Sequence, residues 1–119
     1  MSTSDLLLEP YCEELIPFTV DLWQRLLYRS HRQKKVAYVY LANELIQKGM
    51  SIGNETYQRA FEPVIGKALI NLFEGQLRGE IYKDIKQEIL KVINLWVKGR
   101  YFNDLDELRE KLIQIGKLD

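Results

Sequence analysis

Apolar residues return along this chain every three or four positions, and the period-two alternation of a half-buried strand is scarce. Phe18, Leu22 and Leu26, with Trp23 and Leu27, predict a helix over 17–29. Pro17 opens it at a position that needs no amide hydrogen, and Pro10 opens a short helix over about 10–16 in the same way. Ser30 is placed to cap the next helix, whose apolar positions run from Val36 to Ile46 and whose end is marked by Gly49. Turn chemistry makes 50–55 a loop. Thr56 to Phe61 and Pro63 to Leu72 read as helix with a break at Pro63, and Gly75 and Gly79 bracket the connection expected to move most. Ile81, Ile85, Ile89, Val92 and Trp96 predict a long helix over about 80–98 that stops at Gly99. In the last segment Asp104 and Glu107 have capping-box spacing, Leu105, Leu108, Leu112 and Ile115 form one stripe, and Gly116 ends it.

Two of these helices carry polar strips that their apolar faces do not explain. With about 100° per residue, Tyr38, Leu41, Ala42 and Leu45 fill one side of the 36–46 helix and Val39 and Ile46 extend it, which makes the helix central. Tyr40, Asn43, Glu44 and Gln47 then stand at i, i+3, i+4 and i+7 along one narrow ridge. Burying such groups without partners costs roughly 1–3 kcal/mol each, so the ridge either faces water or meets a polar ligand. In the 80–98 helix the core arc is Ile81, Ile85, Ile89, Val92, Leu95 and Trp96, and Gln87, Lys91, Asn94 and Lys98 share the opposite strip. Lys91 and Lys98, with Arg100 just past Gly99, offer an anion site or simply complement the negative end of a helix dipole.

Composition removes several functions. The 119 residues carry 17 basic and 17 acidic side chains, so no global field draws the chain to nucleic acid or an anionic membrane. Arg25, Arg29, Arg32, Lys34 and Lys35 form the clearest basic patch, which reads as a solvated helix junction or a contact for an acidic partner. One cysteine, Cys12, and one histidine, His31, exclude a Cys/His zinc set and an intramolecular disulfide. No nucleophile elbow, phosphate loop or metal-ligand spacing is present, so no cofactor, metal or catalytic role is expected. Leu6-Leu7-Leu8, ended by Glu9-Pro10, is far too short for a spanning helix, and no membrane role is expected.

The run Lys35-Val36-Ala37-Tyr38-Val39-Tyr40-Leu41-Ala42-Asn43-Glu44-Leu45-Ile46-Gln47 resembles the central signature of the CTD-interacting domain, Lys-(x)₃-Leu-Tyr-Leu-Ala-Asn-Asp-Val-Ile-Gln. Lys91-Val92-Ile93-Asn94-Leu95-Trp96, followed by Arg100-Tyr101-Phe102, is similar to the family's Arg-Leu-Leu-Asn-Ile-Trp and its downstream basic and aromatic residues. Pro17 to Arg25 with Trp23, and Phe61-Glu62-Pro63-Val64, resemble two further family segments in the same order.

The resemblance implies an all-α, right-handed ENTH/VHS-like superhelix, here of about six to seven stacked antiparallel helices forming one domain over 1–119. It implies a nuclear, non-enzymatic module of transcription or RNA 3′-end processing. Such a module takes a turn of the heptad Tyr-Ser-Pro-Thr-Ser-Pro-Ser from the tail of the largest RNA polymerase II subunit, in its phosphorylated form. By the same resemblance Tyr40, Asn43, Glu44 and Gln47 would hold the peptide, with Glu44 meeting the heptad tyrosine. Lys91, Lys98 and Arg100 would face phosphate. Glu44 stands where the family has Asp, Lys91 where it has Arg, and Gly99 at its second basic position, so weaker phosphate discrimination is expected. The family's first helix and much of its second have no counterpart unless 4–15 supplies part of it: either that wall is missing, which weakens binding or exposes apolar surface for a homodimer to cover, or 1–14 rearranges to cover it. The alternative is a trafficking-adaptor-type domain that binds sorting peptides or anionic lipids through the 25–35 patch.

Overall fold

A computed structural model of the chain describes residues 14–117. Most of the helix expected over 10–16, and of the 4–15 wall, lies outside them; Glu14 and Leu15 form a turn. The described residues form five α-helices and no strand: α1 Ile16–Arg29, α2 Arg32–Ser51, α3 Thr56–Glu74, α4 Lys83–Gly99 and α5 Leu105–Lys117, with a short 3₁₀ turn Glu80–Tyr82 before α4. α1 packs on α2 and α3, α2 also on α3 and α4, and α5 on α3 and α4. Contacts between alternate helices build the superhelical stack.

The core follows the period of 3.6. Val20, Trp23 and Leu27 of α1, Phe61, Ile65 and Leu69 of α3, Ile89, Val92, Ile93 and Trp96 of α4, and Leu105, Leu108 and Leu112 of α5 are buried together. Trp23 meets Phe61 edge to face at 5.1 Å between ring centroids, and Trp96 meets Phe102 in the same way at 5.5 Å. The Trp23 indole donates to the Tyr38 carbonyl at 2.7 Å and so ties α1 to the middle of α2.

Several boundaries differ from the sequence expectation. Ser30 does not cap α2; its hydroxyl donates back to the Leu27 carbonyl, and His31 precedes α2 without a side-chain cap. Gly49 is buried within α2, which runs on to Ser51, and the turn is made by Gly53 at φ 76°. Asn54 then accepts from the Thr56 amide at 2.9 Å and satisfies one orphan donor of α3. Pro63 does not break its helix: α3 is continuous through it, although an α-helical bond to the Arg59 carbonyl is forfeited. Ile81 is 80% exposed in the 3₁₀ turn, and Leu95 is exposed on α4, so neither belongs to the core arc. Gly116 lies inside α5 rather than ending it.

Candidate functional site

Lys35 corrects the basic patch first. Placed in the opening turn of α2, it folds back over the end of α1, where its ammonium donates to the carbonyls of Leu27 at 2.7 Å and Tyr28 at 3.1 Å. Those carbonyls are the ones a helix C-terminus leaves without partners. The residue is 3% exposed, and burial pushes its ammonium below the usual lysine range. Arg25 pairs with Asp21 at 2.8 Å, and Arg32 lies over the Tyr82 ring at 5.8 Å. Three members of the run 25–35 are thereby engaged within the fold.

On the opposite edge of α2 the polar ridge meets α4. The Tyr40 hydroxyl, on a side chain 41% exposed, donates to Oε2 of Glu88 at 3.1 Å. Lys91 donates to Oε1 of the same carboxylate at 2.8 Å. One carboxylate therefore bridges an exposed phenol from α2 and an exposed ammonium from α4. Hydrogen bonds from Lys91 and then Tyr40 hold the Glu88 carboxyl below the ordinary glutamate range, and the hydrogen bond that the phenol donates to Glu88 raises it above the ordinary tyrosine range. The Lys91 ammonium is raised by the same pair.

One turn on, Asn43 faces inward as well as outward. Its Oδ1 accepts from the indole of the fully buried Trp96 at 2.8 Å and from Gln47 Nε2 at 2.9 Å. Of the ridge residues, Tyr40 and Asn43 thus reach α4, Gln47 supports Asn43, and Glu44 turns along its own helix to Lys48 at 3.4 Å. The cross-helix contacts advance in the same direction along α2 and α4, from Tyr40 and Glu88 to Asn43 and Trp96. Leu41 and Leu95, both exposed, add apolar area on these two helices. The ridge is an open surface; a hollow of about 350 Å³, lined by Phe73, Lys86, Leu90 and Leu112, lies elsewhere, between α3, α4 and α5.

Lys98 and Arg100 are exposed beyond Lys91, and among the described residues no contact joins them to the cluster. Arg100 takes the left-handed C-cap position of α4, φ 54°. A Cβ at Gly99 would stand 2.7 Å from the Tyr101 ring, so the tyrosine fills the space that a longer side chain at 99 would need. Glu88 is the member of the site that the sequence pattern missed. Its i, i+3 spacing to Lys91 was a usable signal for the ion pair, but nothing local announces Tyr40, 48 positions away. Among the described residues no group of three potential metal ligands occurs, and no helix is long and apolar enough to cross a membrane.

A family comparison decides what this arrangement of α2 against α4 belongs to: the CID domain matches residues 5–108. The chain belongs to the CID domain family. That CID domain is a protein-interaction module with an all-α superhelical fold. The chain is similar to regulation of nuclear pre-mRNA domain-containing protein 1A of Homo sapiens, 30% identical over 95 residues, which cover 78% of this chain and 28% of that protein. It is similar to the 1B protein of Homo sapiens at 31% over 77 residues, covering 65% and 22%. The Gallus gallus 1A protein is 30% identical over 95 residues and is covered to 33%. This CID chain therefore spans a third or less of the length of these relatives. No solved structure matches it with significance.

Proposed function

We propose that this CID domain binds short stretches of the heptad-repeat tail of the largest RNA polymerase II subunit, in phosphorylated form, within nuclear transcription or RNA 3′-end processing. The observation that carries the reading is the exposed meeting of Tyr40 and Lys91, from two helices, on one carboxylate beside Asn43. A phenol ring with a polar tip, an amide and an ammonium on one open edge suit a peptide that offers a ring, a backbone and a phosphate. The names of the relatives, proteins of nuclear pre-mRNA regulation, support the nuclear setting.

In this reading Tyr40, Asn43, Glu44 and Gln47 hold the peptide, and Lys91, with Lys98 and Arg100 further along the chain, faces phosphate. The domain acts as one folded unit and needs no catalytic group. Ordering a short flexible peptide offsets much of the contact energy, so a micromolar complex is expected. Repeats in the tail raise the apparent affinity through multivalency. A second copy of the chain is also proposed as a partner: Leu15, Phe18, Leu22 and Leu26 form an exposed apolar stripe along α1, the kind of surface that self-association buries.

The test is a titration of labelled two-heptad peptides, unphosphorylated or phosphorylated at the second or fifth position, into wild type, Tyr40→Ala and Lys91→Glu. Tyr40→Ala is expected to weaken every peptide, and Lys91→Glu to abolish any preference for phosphate. Identical binding by all three proteins would reject the assignment.

A further inference from the structure

Both oxygens of Glu88 are engaged: Oε1 takes the Lys91 ammonium at 2.8 Å and Oε2 the Tyr40 hydroxyl at 3.1 Å. An oxyanion that accepts from a cation on one side and a hydroxyl on the other makes the same demands as a phosphate monoester. Of the groups that face phosphate in this reading, Lys91 is thus already satisfied by the chain itself. Glu88 also brings a negative charge into the cluster, which opposes a second anion there. Glu44, the nearest acid along the α2 ridge, is paired with Lys48 and does not share these donors.

We infer that Glu88 is a specificity-determining residue: a resident carboxylate that occupies Lys91 in the unliganded domain and must be displaced before a phosphorylated residue can be held. The inference rests on the peptide-binding reading above for its ligand, and on the bridging geometry for its mechanism. A phosphate gains only the difference between its own contact with Lys91 and the one Glu88 gives up, while an unphosphorylated peptide makes no such exchange. Glu88 therefore compresses the preference for phosphorylated over unphosphorylated tail. The effect weakens at high salt, where exposed charges are screened.

The experiment compares wild type, Glu88→Gln and the double variant Glu88→Gln/Lys91→Ala. Glutamine keeps the acceptor for Tyr40 and removes the charge. The ratio of unphosphorylated to phosphorylated peptide Kd is expected to rise about two- to fivefold in Glu88→Gln, the range released by freeing one exposed ion pair, and the double variant is expected to lose the gain. An unchanged or lower ratio in Glu88→Gln, or a gain that survives without Lys91, would overturn the inference. A second readout separates it from the function itself: inorganic phosphate titrated against the Lys91 side-chain NMR signals. If no tail peptide binds wild type or variant, the peptide reading fails. Phosphate then still decides the inference, upheld by a larger Lys91 response in Glu88→Gln than in wild type and refuted by an equal one.

Discussion

Asn43 shows how one side chain of the proposed peptide edge can also serve packing. Its Oδ1 is the hydrogen-bond acceptor of the buried Trp96 indole, and it also takes Gln47. Asn43→Ala leaves that indole N–H without a partner, and urea denaturation is expected to register a loss of about 1–3 kcal/mol; Asn43→Asp, which keeps an acceptor, is expected to retain most of the stability. Lys35 makes a similar case without any ligand. Lys35→Met preserves the apolar stem but strips donors from the Leu27 and Tyr28 carbonyls, with an expected cost of about 1–2 kcal/mol. Its pH dependence has a definite sign. Burial lowers the folded pKa, so the unfolded chain binds more protons between the two values and stability rises with pH there. The wild-type advantage over Lys35→Met should therefore grow as pH climbs through that alkaline window, as measured by paired melts. The bridge from Glu88 to Tyr40 and the docking of Lys35 were illegible for a common reason: both are set by partners on another helix, whereas sequence spacing reports only neighbours on the same one, as it does for Glu88 and Lys91.

At the scale of elements, periodicity located each of the five described α-helices and local chemistry misplaced some of their ends. Trp23 and Leu27, Ile89 and Trp96, and the Leu105–Leu112 stripe are buried as their spacing required. Phe18, Leu22 and Leu26 share the helical spacing but face outward, because α2 and α3 cover only one side of α1. The same packing carries α3 straight through Pro63, since buried Phe61 and Ile65 on either side hold the two halves in line. Pro63→Ala restores the amide facing the Arg59 carbonyl at a small cost in unfolded-chain entropy. Thermal unfolding is expected to show a net gain of about 1–2 kcal/mol. A lower melting temperature would mean that α3 depends on the proline's fixed geometry.

Taken whole, the molecule puts its two unusual surfaces on different helices. The ridge of α2 is polar and bridged to α4, whereas the outer side of α1 is apolar, with Phe18 69% exposed. The proposed homodimer uses the second and leaves the first open. Sedimentation of the full chain is expected to show mass rising with concentration, and Phe18→Glu/Leu22→Glu to remain monomeric at every concentration. A wild type that stays monomeric throughout would remove the dimer while leaving peptide binding untouched. The superhelical class and the α2 ridge could be read from helical spacing and signature residues, because both are written in contiguous sequence. The loss of Lys35 from the 25–35 patch could not, because only the assembled α1–α2 corner takes that side chain out of solvent, while Arg25, Arg29, Arg32 and Lys34 stay exposed.

The bond between the Trp96 indole and Asn43 gives the domain an intrinsic optical reporter. Each of the two tryptophans donates to an oxygen on α2, but Trp23 is held by a backbone carbonyl and Trp96 by a side chain of the proposed peptide edge. A ligand that draws on Asn43 should shift the emission of Trp96 while leaving that of Trp23 in place, so a Trp23→Phe variant would let occupancy be followed by fluorescence without a label.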